Sequence, residues 1–289
     1  MRLSLTDNTF RLLQPWERVL DLARLLELEA VDVCVMGNRS HLRPEEIRDD
    51  IPGAAERIAT GLADRGLAVS DLFCIPWTDF ERLAPNHPDS AEHAASQALF
   101  DDLLDLAVRI AAPGMTMLPG IDWPGETHEA SFDRAAQELA RRTALARDRG
   151  VRFSVEAHLG SIAQDPAEAA RLCAASPGLE LTLDYSHFVY QGLDDGQIEP
   201  LVPLARHVHV RGAATRRMQA PLAESTVDFE RMVGALRAAG YDGDLSLEYL
   251  WIAWEGLNEC DTVSETILLR DRLLAALAGR EWRYPVLRI

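Results

Sequence analysis

The chain has 289 residues, with 46 acidic and 29 basic side chains and a formal net charge of −17. This length suits one large α/β domain whose core needs no disulfide. The acidic balance argues against nucleic-acid partners, because non-specific binding of phosphate backbones rests on Lys and Arg. All 29 basic residues are arginine, so Schiff-base chemistry, which needs a lysine amine, is excluded.

Cys34, Cys74, Cys173 and Cys260 are scattered without a CxxC pair and read as thiols of a reducing compartment. No apolar stretch approaches the ~20 residues of a membrane helix. The opening MRLSL reads as a strand, with no basic and apolar leader before it. The expectation is a soluble, cytoplasmic protein with no membrane partner.

In chain order, short apolar runs predict strands at Arg2–Thr6, Val31–Met36, Ala68–Cys74, Gly114–Leu118, Arg152–His158, Glu180–Asp184, His207–Arg211 and Asp244–Tyr249. Helical patterns lie between them. Pro15 stands at a first helical position before LDLARLLELE; Phe132–Gly150 and Val227–Gly240 repeat at 3.6 residues and end in glycine; Val263–Leu277 closes the chain. Eight strands alternating with helices predict a parallel sheet closed as a (β/α)8 TIM barrel, one domain over residues 1–289. No GxGxxG, GxxxxGK[ST] or GxSxG segment supports a dinucleotide site, a P-loop or a nucleophile elbow.

In such a barrel the site lies at the carboxyl ends of the strands. There the last four strands carry Glu156 and His158, then Asp184 with His187 three residues on, then His207, His209 and Arg211 on one face, then Glu248. A lone acid at a strand end commonly caps a helix, and a lone strand histidine commonly fills the core. Here four consecutive strands place such groups at equivalent positions, which barrel closure brings together. Three unpaired buried carboxylates would cost several kcal/mol each, roughly, and a divalent cation removes that cost. Three carboxylates and one imidazole form an oxygen-rich set that suits one Mn²⁺ or Mg²⁺ and tolerates Co²⁺, Fe²⁺ or Zn²⁺. Such an ion would keep positions open for substrate oxygens.

VEAHLGS, LTLDYSHF, HVHVRGA and LSLEYLW resemble the strand-5 Glu, strand-6 DxxH, strand-7 HxH and strand-8 Glu of the sugar phosphate isomerase/epimerase superfamily, the xylose-isomerase-like barrels. The resemblance implies metal ligands Glu156, Asp184, His209 and Glu248, and a substrate contact for His187. Two features depart from its ketose 3-epimerases: Ile162 stands where they carry a second loop Glu, and RGAATRR replaces a GExNR-like segment. His158-Leu-Gly-Ser resembles an HxGT stretch of inosose dehydratases. The extra histidines of the AP endonucleases are missing.

The resulting expectation is an isomerase or epimerase of a small sugar-like substrate, working by proton abstraction next to a carbonyl and a metal-stabilised enediolate. Glu156 and Glu248 are the catalytic pair; His187, His158 and Arg211 are the substrate contacts, with His207 a weaker candidate. The alternative is a lyase on the same barrel, dehydrating a keto-cyclitol or eliminating from a 3-keto-glycoside. Phosphodiester hydrolysis and metal binding without catalysis are more remote. Trp77, Trp123, Trp251, Trp254, Tyr185 and Tyr190 follow strand ends, where rings stack on a sugar or form a subunit interface. WIAW reads as an interface of a homo-oligomer closing over the site.

Overall fold

The computed structural model describes residues 1–77 and 79–285. Eight parallel strands, β1 (Arg2–Thr6), β2 (Ala30–Met36), β3 (Ala68–Ile75), β4 (Gly114–Met117), β5 (Arg152–Glu156), β6 (Glu180–Asp184), β7 (Ala205–Val210) and β8 (Asp244–Leu247), pair in sequence order. The β1–β8 pairing closes the barrel. The α-helices are α1 (Glu17–Leu25), α2 (Pro44–Asp49), α3 (Ile51–Ala63), α4 (Ser90–Arg109), α5 (His128–Asp148), α6 (Pro166–Ala175), α7 (Tyr185–Tyr190), α8 (Asp195–Ile198), α9 (Phe229–Ala238) and α10 (Thr262–Leu277). None is long and apolar enough to cross a membrane, among the described residues.

The strands alternate between two environments. Leu3, Leu5, Val31, Val33, Val155, Leu181, Val208 and Leu245 face the helices and form one continuous core with them. Each such fully buried aliphatic side chain contributes about 1.5–3 kcal/mol. The barrel interior is polar instead. Helix starts follow side-chain caps: Asp89, Thr127, Asp165, Asp228 and Asp261 each accept backbone N–H groups at the first turns of α4, α5, α6, α9 and α10.

The strand ends differ from expectation where the ladder stops. β5 ends at Glu156 and β8 at Leu247, so His158 and Glu248 lie on the loops that follow. Pro15 precedes α1 by two residues rather than opening it. The segment after β6 is a helix, α7, rather than a loop, because Asp184 caps it with its own side chain. That helix buries Tyr185 in the outer core, away from any sugar-stacking position.

Candidate metal centre

Register brings the predicted residues to one mouth of the barrel. Glu156 pairs with Thr182, and Asp184 lies opposite His209. Glu248 follows β8, its N–H donating to the Val210 carbonyl at 3.0 Å. All four side chains are buried. His209 Nδ1 is 2.8 Å from Glu156 Oε1 and 3.6 Å from Glu248 Oε2. Glu156, His209 and Glu248 each offer one ligand atom, mutually within 4.8 Å. Asp184 stands beside this trio: Oδ1 accepts the Ser186 N–H at 2.8 Å and Oδ2 accepts Arg211 Nη2 at 2.7 Å.

Arg211 runs through the cluster. Its Nε donates to Ser186 Oγ at 2.8 Å, and Nη1 lies 3.4 Å from Glu248 Oε2. Burial opposes its charge, but Asp184, Glu248 and Glu156 together raise its pKa. In this arrangement Arg211 acts first as a counter-cation to the Asp184 and Glu248 carboxylates, a role its expected substrate contact did not include.

Burial pushes Glu248 up to about 7, although His209 and Arg211 pull against it. Burial alone would also raise Glu156, but the hydrogen bond and charge of His209, with His158 and Arg211, bring it below the usual carboxylate range. Burial would lower His209, yet Glu248, Asp32 and Glu156 hold it well above the ordinary imidazole value. The two carboxylates are therefore shifted in opposite directions.

Three atoms here are buried without a hydrogen-bond partner: Glu248 Oε2, His209 Nε2 and Arg211 Nη1. Such groups each cost about 1–3 kcal/mol and call for an explanation. A divalent cation fits: it would take the orphaned Glu248 oxygen, and the oxygen-rich donor set suits a hard ion.

His187 Nδ1 accepts the Leu159 N–H at 3.1 Å, and Arg211 Nη2 stands 3.3 Å from its Nε2. That nitrogen lies 3.6 Å from Asp184 Oδ2 and 3.9 Å from Glu156 Oε2. His158 Nδ1 donates to the Leu159 carbonyl at 2.6 Å, leaving Nε2 as an acceptor. Burial lowers both imidazoles, His187 further because a proton there would also be repelled by His158, Arg211 and His209. The two rings lie 4.3 Å apart.

His207 takes a different place from that expected. Its Nε2 bonds Asp32 Oδ2 at 2.9 Å inside the barrel, below the mouth. The same oxygen lies 3.2 Å from His209 Nε2, so Asp32 backs the histidine that Glu156 and Glu248 face. The sequence reading missed Asp32. Its signal was a charged residue inside AVDVCVM, where a strand buried on both faces is otherwise apolar.

The cavity above Glu156 and Glu248 measures ≈ 30 Å³, room for one or two waters. Its rim is aromatic: Trp254 stacks on His158 at 5.0 Å, and the Phe80 ring meets His158 edge-on at 4.8 Å. A substrate has to part this rim. Of the WIAW segment, Trp254 turns into the site and Trp251 is exposed. Trp77 lies under the Arg82 guanidinium at 4.3 Å, Trp123 Nε1 bonds Asn86, and Tyr190 bonds Glu255.

A closed (β/α)8 barrel with a buried carboxylate–imidazole cluster at its carboxyl-end mouth defines the class. The family model described as the xylose isomerase-like TIM barrel matches residues 20–267, and the chain belongs to that family. Among solved structures it is similar to an L-ribulose 3-epimerase, at 18% identity and TM-score 0.74, covering 96% of each chain. It is also similar to a D-psicose 3-epimerase from Clostridium cellulolyticum H10, at 12% identity and TM-score 0.74, covering 96% of this chain and 98% of that one. A third is the IOLI protein with a bound zinc atom, at 14% identity and TM-score 0.73, covering 97% and 99%. No curated protein matches the sequence.

Proposed function

We propose that this protein is a divalent-metal-dependent isomerase or epimerase of a sugar or keto-sugar, acting by proton transfer at a carbon next to a carbonyl. The observation that carries this reading is the Glu156–His209–Glu248 trio, in which two buried carboxylates share one imidazole and are shifted in opposite directions. Similarity to structures named as 3-epimerases supports the substrate class, and the zinc of the IOLI structure supports a metal in this family.

Glu156, Asp184, His209 and Glu248 would hold the ion, with Mn²⁺ or Mg²⁺ best suited to their oxygens. When bound, it supplies Lewis acidity that polarises the substrate carbonyl. Glu156, ionised, removes the proton beside that carbonyl. Glu248, on the other side of the substrate, takes the complementary part and returns one. His187 Nε2 contacts a substrate oxygen, and His158 Nε2 accepts from a hydroxyl.

Incubation of the Mn²⁺-loaded protein with free ketoses, inososes and 3-keto-glucosides in ²H₂O, read by NMR, tests the assignment. Deuterium entering the position next to the carbonyl supports it. Release of water or an aglycone moves the protein to the lyases. Absence of exchange from every substrate, with the ion bound, overturns the reading.

A further inference from the structure

We propose that Asn8 is a specificity-determining residue of this site, whose side-chain oxygen accepts a hydrogen bond from one hydroxyl of the sugar. This rests on the function proposed above and adds to it a group that reads the substrate's own hydroxyls.

A sugar hydroxyl both donates and accepts, and a buried one whose proton finds no acceptor is penalised. The cavity has to supply such acceptors. Beyond the carboxylates and imidazoles of the centre, its wall is mostly apolar, Phe73, Ile75, Leu250 and Ile252 among it, with Asn8 and Arg39 as polar members. A guanidinium only donates. Asn8 is therefore the side-chain acceptor on this part of the wall.

Asn8 is buried and its amide is half used. Nδ2 donates to Met36 Sδ at 3.5 Å, while Oδ1 is buried without a hydrogen-bond partner. The orientation follows from chemistry. A thioether sulfur is a weak acceptor and never a donor, so the amide nitrogen belongs beside it and the oxygen away from it. A buried amide oxygen with nothing to accept is rare in folded proteins and calls for an arriving donor.

The oxygen is also held in place. Asn8 lies in the short 3-10 turn Asp7–Phe10 that directly follows β1. Asp7 Oδ1 accepts the Cys34 N–H at 3.2 Å and Oδ2 accepts Trp16 Nε1 at 2.8 Å, tying the turn to β2 and to the start of α1. Thr9 Oγ1 donates to the Leu247 carbonyl at 3.3 Å, one residue before Glu248. An acceptor fixed on both flanks loses little freedom when a donor arrives, and a site built to bond a hydroxyl rejects the analogue that lacks it. β1 adjoins β8 and lies across the barrel from β5, so the hydroxyl that Asn8 takes is on the side of the sugar away from His158.

The test compares Mn²⁺-loaded wild-type and Asn8→Leu protein. The probes are D-psicose, the sugar of one similar epimerase structure, and its 4-, 5- and 6-deoxy analogues, which keep the carbonyl and its neighbouring C–H. Calorimetric titration reads binding, and deuterium uptake from ²H₂O reads kcat and KM. In wild type one deoxy analogue binds about 10- to 100-fold more weakly than the parent sugar, the range of one lost hydrogen bond. The loss falls on KM rather than kcat. Asn8→Leu weakens the parent sugar by the same factor and that analogue no further. Its urea midpoint and Mn²⁺ affinity stay at the wild-type values, because Leu fills the volume of the amide and the ion is held elsewhere. Equal binding of all four sugars in wild type, a uniform loss across them in Asn8→Leu, or binding of none overturns the proposal. So does weaker Mn²⁺ binding in the variant, which would make Asn8 a metal ligand. The selective pattern in binding without deuterium uptake keeps Asn8 in this role and counts against proton transfer instead.

Discussion

Two buried charged clusters sit a few residues apart in this barrel, and they differ in how completely they are satisfied. The lower one is built on Arg206, whose Nη2 donates to Asp71 Oδ1 at 2.8 Å, Thr116 Oγ1 at 2.9 Å and Ser154 Oγ at 2.8 Å. Thr116 also bonds Asp71 and, at 2.6 Å, Thr182. No side-chain atom of these residues is buried without a partner, among the described residues. The upper cluster, around Glu156 and Glu248, leaves three atoms without a hydrogen bond, held only by ion pairs at 3.2–3.6 Å: Glu248 Oε2, His209 Nε2 and Arg211 Nη1. A saturated network specifies structure; an unsaturated one, here with three carboxylates, holds a place for something else.

The comparison predicts opposite responses to substitution. The largest is functional: Glu248→Gln lowers proton exchange at the substrate carbon by roughly 10²–10⁴-fold, the usual range of a lost general acid or base. Urea denaturation of the same variant moves by no more than about 1 kcal/mol, because Gln fills the same volume without a buried charge. Arg206→Met does the reverse. It strands Asp71 in the core and costs about 3–5 kcal/mol in urea denaturation, most of it recovered when Asp71→Leu is added.

Smaller effects sharpen the boundary between the clusters. Asp32→Asn withdraws the carboxylate behind His209 and weakens Mn²⁺ binding by about 10–100-fold in a calorimetric titration. Affinity for the ion also depends on pH. Glu248 is raised to about 7, so below that value it is protonated and the ion must displace the proton. Affinity therefore rises with pH through about 7, by up to tenfold per unit for each proton released, and goes on rising above it because His209, held well above the ordinary imidazole value, must also give up a proton to the ion.

Much of this was legible in the sequence because period-two alternation and strand count are local signals. Glu156, Asp184, His209 and Glu248 were found from their places at strand ends, and the barrel follows from eight short apolar runs. Arg206 and Asp71 were not legible, for a physical reason. Register slips where Leu181 pairs with Ala205 and Thr182 with His207, and again where Val31 pairs with Val69 and Asp32 with Asp71. Each β-bulge adds one residue, so that Arg206 and His207, like Ser70 and Asp71, both turn inward. Alternation read from sequence assigns one of each pair to the wrong face. The position of Arg211 against Asp184 and Glu248 was likewise hidden, since it depends on which groups meet across β6, β7 and β8.

The central claim is that the unsatisfied upper cluster is a cation site. Calorimetric titration of Mn²⁺ into chelator-stripped protein at pH 8 tests it most directly. The account predicts one saturable ion per chain, lost in Glu248→Gln while the urea midpoint stays in place. A wild-type titration without a saturable site, or one that Glu248→Gln leaves unchanged, would contradict it.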